Sequence, residues 1–520
     1  MFCTRRIAKK GGSMGALKKW SQQIMAWPNT PRRRIALVTC VMGLIWGAMV
    51  YCQGVRSPVH SADWSLMSEI GRRVALGDTL YVEAMDQKGP LCYATYALLW
   101  HIMHTQMGVF VLSNVLLWIL LVASSGITAR MVEDTRKPFI HPIAQALLVG
   151  VLFVPHVGCL EEWFAPFGLL CALWVRRLGM GRRVNDACWV VVGLAAAYTL
   201  WAKFTCAAQF AFLLCYAATR EHTKGLGRAV LIALVSCAVA SILVFLWVWF
   251  AGSFEGMMRH YVHAASDGYA GRMSMLGHIM GGNPSTTHVT SFFMGLPIAL
   301  WATVMVARSV KDDIAGRVLV VSGAVILMAC CFATFVGYYR FQLAPLAMVG
   351  ACEITGEPWR LRPLRFIDEK IGIRYLLWAA CALLVVCCTY YTCDGTSNMV
   401  KSAERLKKTL HEAVGESNSV VVWTFGNTWV YGELGLEFPY AIPARYNASQ
   451  DVWEATAATD VWDHRWQYIV ASVDNGGVEV GHKVSLDGKW YTVVAVTDGM
   501  AVADGDCTDE PLQNLPYRLP

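Results

Sequence analysis

The chain has 520 residues, of which 56% are hydrophobic and only 16% charged, with a formal net charge of +7; its mean hydropathy is +0.42. A soluble domain carries about 25% charged residues, so this balance points to a bilayer rather than to a water-soluble domain. The surplus cations sit in short loops beside apolar runs. That is how cytoplasmic loops meet anionic lipid, and it speaks against a nucleic-acid partner.

In chain order, a basic segment (1–33) with Arg5, Arg6, Lys9, Lys10, Lys18 and Lys19 precedes the first apolar run. No small-residue cleavage site follows, so the run reads as an anchor rather than a cleaved signal. Apolar runs of about 18–22 residues then recur up to Tyr391, which predicts an α-helical polytopic membrane protein with about eleven spans. The first span (34–53) delivers an outer loop over 54–106. Within that loop 91–104 is too short to cross and is predicted to form an interfacial or re-entrant helix.

The second span (107–128) ends at an inner loop with Arg130, Arg136 and Lys137. The third (140–157) surfaces at Gly158 to Trp163, and the fourth returns to Arg176, Arg177, Arg182 and Arg183. The fifth and sixth make a tight pair with Lys203 at the outer turn and Arg220, Lys224 and Arg228 inside. The seventh (229–251) opens a long outer loop, and the eighth returns to Arg308, Lys311 and Arg317. The ninth reaches Tyr338 to Arg340, and a short tenth with Pro345 returns to Arg360, Arg362, Arg365, Lys370 and Arg374. The eleventh (375–392) closes a membrane domain over 34–392. Basic loops stay cytoplasmic, so the amino end is expected inside and residues 393–520 outside, in the plasma membrane.

The tail regains Asp, Glu, Asn and Gly and reads as a small α/β domain. An amphipathic helix is predicted near 400–414, and strands at 419–424, 467–473 and 490–496. It shows no catalytic constellation: His464 beside Asp463 reads as a satisfied polar pair, and Asn447-Ala448-Ser449 is a glycosylation sequon of the kind that arises by chance. Most of the 18 cysteines, such as Cys330, Cys331, Cys387 and Cys388, lie in apolar runs and act as small apolar residues. Cys393 and Cys507 are the one pair that invites a disulfide.

Ionisable residues at span edges are costly, so they are site candidates. On the outer side these are Asp63, Asp86, Lys88, Glu161, Glu162, Lys203 and Arg340, with His260 and His263. The topology rests on basic inner loops alone, yet it puts all of them on one face. Carboxylates with cations nearby suit a phosphate-linked substrate: one acid takes a proton from an acceptor hydroxyl while the cations hold the departing phosphate. Each residue also has a plain structural reading. Asp63 caps a helix starting at Trp64. Asp86 and Lys88 form an exposed ion pair. Glu161 and Glu162 are solvated acids at a helix start, and Lys203 snorkels to lipid headgroups.

These residues lie in stretches that resemble the membrane glycosyltransferases of GT-C fold. The first loop reads Asp63-Trp64-Ser65, Ile70-Gly71-Arg72-Arg73, Gly77-Asp78-Thr79-Leu80-Tyr81 and Asp86-Gln87-Lys88-Gly89-Pro90-Leu91. In order after it come Glu161-Glu162-Trp163-Phe164-Ala165-Pro166, Ala202-Lys203-Phe204-Thr205, Tyr339-Arg340-Phe341-Gln342-Leu343-Ala344-Pro345 and Gly426-Asn427-Thr428-Trp429-Val430-Tyr431. The pattern is similar to family-39-like proteins, the dolichyl-phosphate-mannose–protein mannosyltransferase-like group, and more distantly to the lipid A aminoarabinose transferases. The resemblance implies inverting transfer of a hexosyl-type sugar from a polyprenyl-phosphate-linked donor to a glycan, lipid or protein acceptor of the cell envelope. It implies Asp63 as base, and Lys88, Lys203 and Arg340 at the lipid phosphate. Many members place Asp-Glu together in this loop, whereas here Trp64 follows Asp63 and Glu69 comes six residues on. That leaves open the identity of the base and the need for a divalent cation (Mg or Mn), for which Asp63, Glu161 and Glu162 are the candidate ligands.

A transporter or flippase of lipid-linked sugars is the alternative. It should carry ionisable or helix-breaking groups near mid-span in two repeated halves, but the charges here sit at the outer edge and no repeat is visible. A scaffold whose tail binds wall material leaves the gathering of acids and cations unexplained.

Overall fold

A computed structural model describes residues 30–51, 62–137, 140–152, 160–220, 225–263, 286–310, 313–332 and 337–354. In the tail it describes 407–415, 420–423, 467–472, 478–486, 489–497 and 500–504, with a few single positions besides. The predicted eleventh span, the Cys393–Cys507 pair, the 447 sequon, Asp463, His464 and the 426–431 element lie outside the described residues.

Thr30 caps helix α1 (Pro31–Val50), its hydroxyl accepting from the Arg33 amide, with Pro31 in the first turn where no amide proton is needed. Helix α2 (Ala62–Leu76) and α3 (Pro90–Met103) follow in the first loop, and they pack on one another. Helix α3 is the short helix predicted at 91–104, and it stops where His104 turns left-handed (φ 55). Helix α4 (Gln106–Thr135) starts at a Thr105 cap and packs along α1. It runs to Thr135, beyond the span predicted to end at 128. Arg130 is therefore helical rather than in a loop, and the acid side chains of Glu133 and Asp134 at the helix end are themselves buried and paired, with His141 and with Arg177 and Arg182.

Helices α5 (Ile140–Leu152), α6 (Ala165–Gly179), α7 (Asp186–Ala202), α8 (Ala208–Ala218) and α9 (Leu226–Phe250) continue the bundle. Tight 3₁₀ turns precede α6 (Leu160–Trp163) and α8 (Phe204–Ala207). After α9 come α10 (Phe254–Met257) and a π turn (Met258–His263), then α11 (Thr286–Ser309) and α12 (Ile314–Phe332). A 3₁₀ turn (Gly337–Leu343) leads into α13 (Ala344–Cys352).

Helices α1, α4, α9 and α12 are each long and apolar enough to cross a membrane, and shorter apolar helices lie between them. Helix α9 buries only Ala229, Val244 and Val248, which leaves a bare apolar flank suited to lipid.

Charged groups collect at the two ends of the bundle. At one end Asp134 takes Arg177 at 2.7 Å and Arg182 at 2.5 Å, and Glu133 meets His141 at 2.9 Å. There too Glu353 accepts from the Tyr216 hydroxyl at 2.7 Å and lies 3.6 Å from both Arg176 and Arg220. Loop by loop, this is the end carrying the predicted basic inner loops.

In the tail, a helical stretch over 407–414 precedes a five-stranded sheet. Its strands are β1 (Val420–Trp423), β2 (Tyr468–Ser472), β3 (Lys483–Leu486), β4 (Lys489–Thr497) and β5 (Met500–Asp504), in the order β1-β2-β5-β4-β3. β1 and β2 run parallel and the other pairs antiparallel. The predicted strands at 419–424, 467–473 and 490–496 are β1, β2 and β4; β3 and β5 are additions.

Candidate active site

Asp86 and Lys88 sit in the turn before α3. Both are buried, at 4% and 6% exposure, with their charged atoms 3.6 Å apart. The Tyr93 hydroxyl donates to Asp86 Oδ2 at 2.5 Å, and the Lys88 amide donates to the same phenol oxygen at 3.2 Å. Tyr81 donates to the Lys88 carbonyl at 2.6 Å. Burial pushes both phenols well above their ordinary value, so each stays a donor. The reading of Asp86 and Lys88 as an exposed pair therefore fails. Removing one partner of a buried pair strands the other, at about 3–5 kcal/mol.

Gly89 joins this turn to α7. Its amide donates to the Ala202 carbonyl at 2.9 Å, and a Cβ there would stand 1.9 Å from the Trp201 carbonyl oxygen. The Tyr261 hydroxyl braces the joint, donating to the Leu200 carbonyl and accepting from the Phe204 amide at 3.0 Å.

The contact brings Lys88 to the end of α7, where Lys203 follows in extended backbone (φ −159, ψ 96). The Lys203 ammonium donates to Glu161 Oε1 and lies 4.4 Å from the Tyr339 ring centroid. Its side chain is 14% exposed, so it is engaged inside the protein rather than snorkelling. Glu161 and Glu162, in the turn before α6, are 2% and 4% exposed and are not solvated acids.

Cys92, in the first turn of α3, is buried; burial pushes its thiol up, Asp86 and Glu161 add to that, and Lys88 and Lys203 oppose it. Arg340 is 2% exposed and donates through Nε to the Val151 carbonyl at 3.2 Å. Its turn packs on the Leu160–Trp163 turn. His260 is buried near Asp86; burial and the neighbouring Arg259 depress its pKa, and Asp86 opposes them. The side chain of His263 lies outside the described residues.

Asp63 falls in the first turn of α2, and its side chain also lies outside the described residues. Trp64 beside it stands 6.4 Å from Tyr96, and Tyr96 stands 6.3 Å from Trp163, so an aromatic row links the start of α2 to the glutamate turn. Glu69 is held by Arg72, with Nη2–Oε1 at 2.6 Å, while burial pushes its carboxyl up.

Sequence reasoning weighed ionisable groups and missed the neutral ones around them. Tyr81, Tyr93 and Tyr261 fix the backbone of the site. Gln209 and Gln342 are 0% and 2% exposed, and their amide nitrogens and oxygens meet no hydrogen-bond partner among the described residues. Gln342 lies two residues from Arg340, and Gln209 Oε1 is 2.1 Å from where a Cβ on Gly168 would stand. A glutamine inside an apolar run was the visible signal. Among the described residues no three of His, Cys, Asp and Glu gather to hold a metal ion, and Glu161 is already taken by Lys203.

No protein-family model and no curated protein matches the chain. Among solved structures it is similar to ArnT from Cupriavidus metallidurans bound to undecaprenyl phosphate, at 12% identity and a TM-score of 0.59, over 92% of this chain and 99% of that one. The apo state of the same protein is similar at 12% identity and a TM-score of 0.56, with the same 92% and 99% coverage. A likeness at this identity is one of fold: the chain is a multi-pass α-helical membrane protein with the GT-C architecture in its ArnT-like form.

Proposed function

We propose that the chain is a membrane glycosyltransferase that moves a sugar from a polyprenyl-phosphate-linked donor to a hydroxyl of a glycan, lipid or protein acceptor. The observation that carries this reading is the docking of the Asp86–Lys88 turn, through Gly89 and Ala202, beside the Lys203–Glu161 pair, with Arg340 on the adjoining turn. The ArnT crystal structure holds undecaprenyl phosphate and supports a donor of the same class.

In the proposed step an acceptor hydroxyl oxygen attacks the anomeric carbon as the bond from that carbon to the phosphate oxygen breaks. The electron pair leaves with the polyprenyl phosphate, and the hydroxyl proton passes to a carboxylate. Attack opposite the leaving group inverts the anomeric centre. Lys88, Lys203 and Arg340 take the charge that grows on the leaving phosphate; they act in low-dielectric surroundings, where fixed cations are worth most. Asp63 is the proposed base, with Asp86 and the Glu161–Glu162 pair the other candidates. The site is proposed to face the outside of the plasma membrane, with residues 1–33 cytoplasmic and 393–520 beyond the outer leaflet.

The test is Asp63→Asn in purified protein supplied with polyprenyl-phosphate sugars. The expected result is lost transfer with donor binding retained. Full activity would move the base to Glu69, Asp86 or the glutamate pair.

A further inference from the structure

The end of the bundle opposite the candidate site holds a cavity of about 970 Å³ between the α6–α7 connection and the first turn of α9. Arg182, Arg183 and Arg228 line it with Asp186, while Trp189 and Leu178 give it an apolar wall. Arg228 pairs with Asp186 and Arg182 with Asp134, and along the cavity wall itself three arginines face one aspartate. Above the cavity α9 rises with Leu231, Leu234 and Val235 all exposed.

A cationic chamber at the foot of a bare apolar helix asks for one ligand that is anionic at one end and apolar along its length. We infer that this cavity binds the headgroup of an anionic phospholipid, whose acyl chains lie along α9. Guanidinium groups match phosphate oxygens in paired geometry. Basic pockets at the membrane interface select anionic lipid over zwitterionic lipid in the same way. A free phosphate would use the arginines and leave the α9 flank idle. The inference is independent of the proposed transferase activity, since none of these residues belongs to that site.

The experiment uses the full chain in detergent with an equal mixture of phosphatidylglycerol and phosphatidylcholine, and reads retained lipid by native mass spectrometry. Phosphatidylglycerol is expected to be retained over phosphatidylcholine, and Arg183→Gln with Arg228→Gln to cut its retention by about tenfold. Arg183 is exposed, so Arg183→Gln alone keeps the fold and is expected to lower retention in the same direction, by less. Equal retention of the two lipids, or unchanged phosphatidylglycerol in both variants, overturns the site. Displacement of the lipid by millimolar inorganic phosphate alone also overturns it, because the acyl contacts along α9 would then contribute nothing.

Discussion

Lys203 already has two partners, the Glu161 carboxylate and the Tyr339 ring, and in the proposed reaction a donor phosphate competes for the same ammonium. Lys203→Ala is therefore expected to do two separable things. It leaves Glu161 buried and unpaired, which costs about 3–5 kcal/mol of stability, and it removes a charge-assisted contact worth about tenfold to a hundredfold in donor affinity. Pairing Lys203→Met with Glu161→Gln removes both charges, so thermal unfolding should recover while donor affinity stays low. Gln342 tests the neutral part of the site. Its amide meets no partner among the described residues, so Gln342→Leu is expected to raise unfolding stability by about 1 kcal/mol. A loss of stability would show that the amide is satisfied after all. His260 supplies a pH dependence. Its pKa is depressed from 6.5 by burial, so the unfolded chain binds this proton more readily. Stability should then fall as pH drops below about 6.5, and His260→Gln should flatten that slope, as read in unfolding curves between pH 7 and pH 5. The sequence suggested Lys203 at the phosphate, but not its pairing with Glu161, nor the burial of Gln342 and His260, because those come only with the fold. Glu161 and Lys203 are separated by 42 positions.

Among the elements, the joint between the first loop and α7 carries the site's geometry. Gly89→Ala places a methyl 1.9 Å from a backbone carbonyl oxygen, which no rotamer relieves. The expected result is a loss of about 1–3 kcal/mol together with most of the transfer activity, measured on the same preparation by unfolding and by product formation. Wild-type stability and activity would show that the loop docks elsewhere. The long helices were legible in the sequence because an apolar run of about 20 residues has few other uses. The end of α4 was not: Arg130, Glu133 and Asp134 look like a loop to hydropathy, yet they are helical, and Arg177, Arg182 and His141 meet the acids. In the tail, β3 (KVSL) and β5 (MAVAD) are too short and too polar to stand out alone, and they become strands by pairing with β4 and, for β5, β2.

For the whole molecule, alternating charge along the sequence became two charged ends of one bundle, which brings acids and cations from remote segments into one place. The GT-C resemblance was readable from ordered short motifs although the identity to the ArnT structure it is similar to is only 12%. The contacts among those motifs came only with the fold. The most direct test of a lipid-phosphate site is a titration of the purified chain with undecaprenyl phosphate. It compares wild type with the double variant carrying Lys203→Met and Glu161→Gln, which keeps the local charge balance. Saturable binding that weakens by about tenfold or more in the variant is the expected result. Equal affinity in the two proteins would contradict a donor phosphate held at Lys203, and absence of binding to wild type would contradict the lipid-linked donor itself.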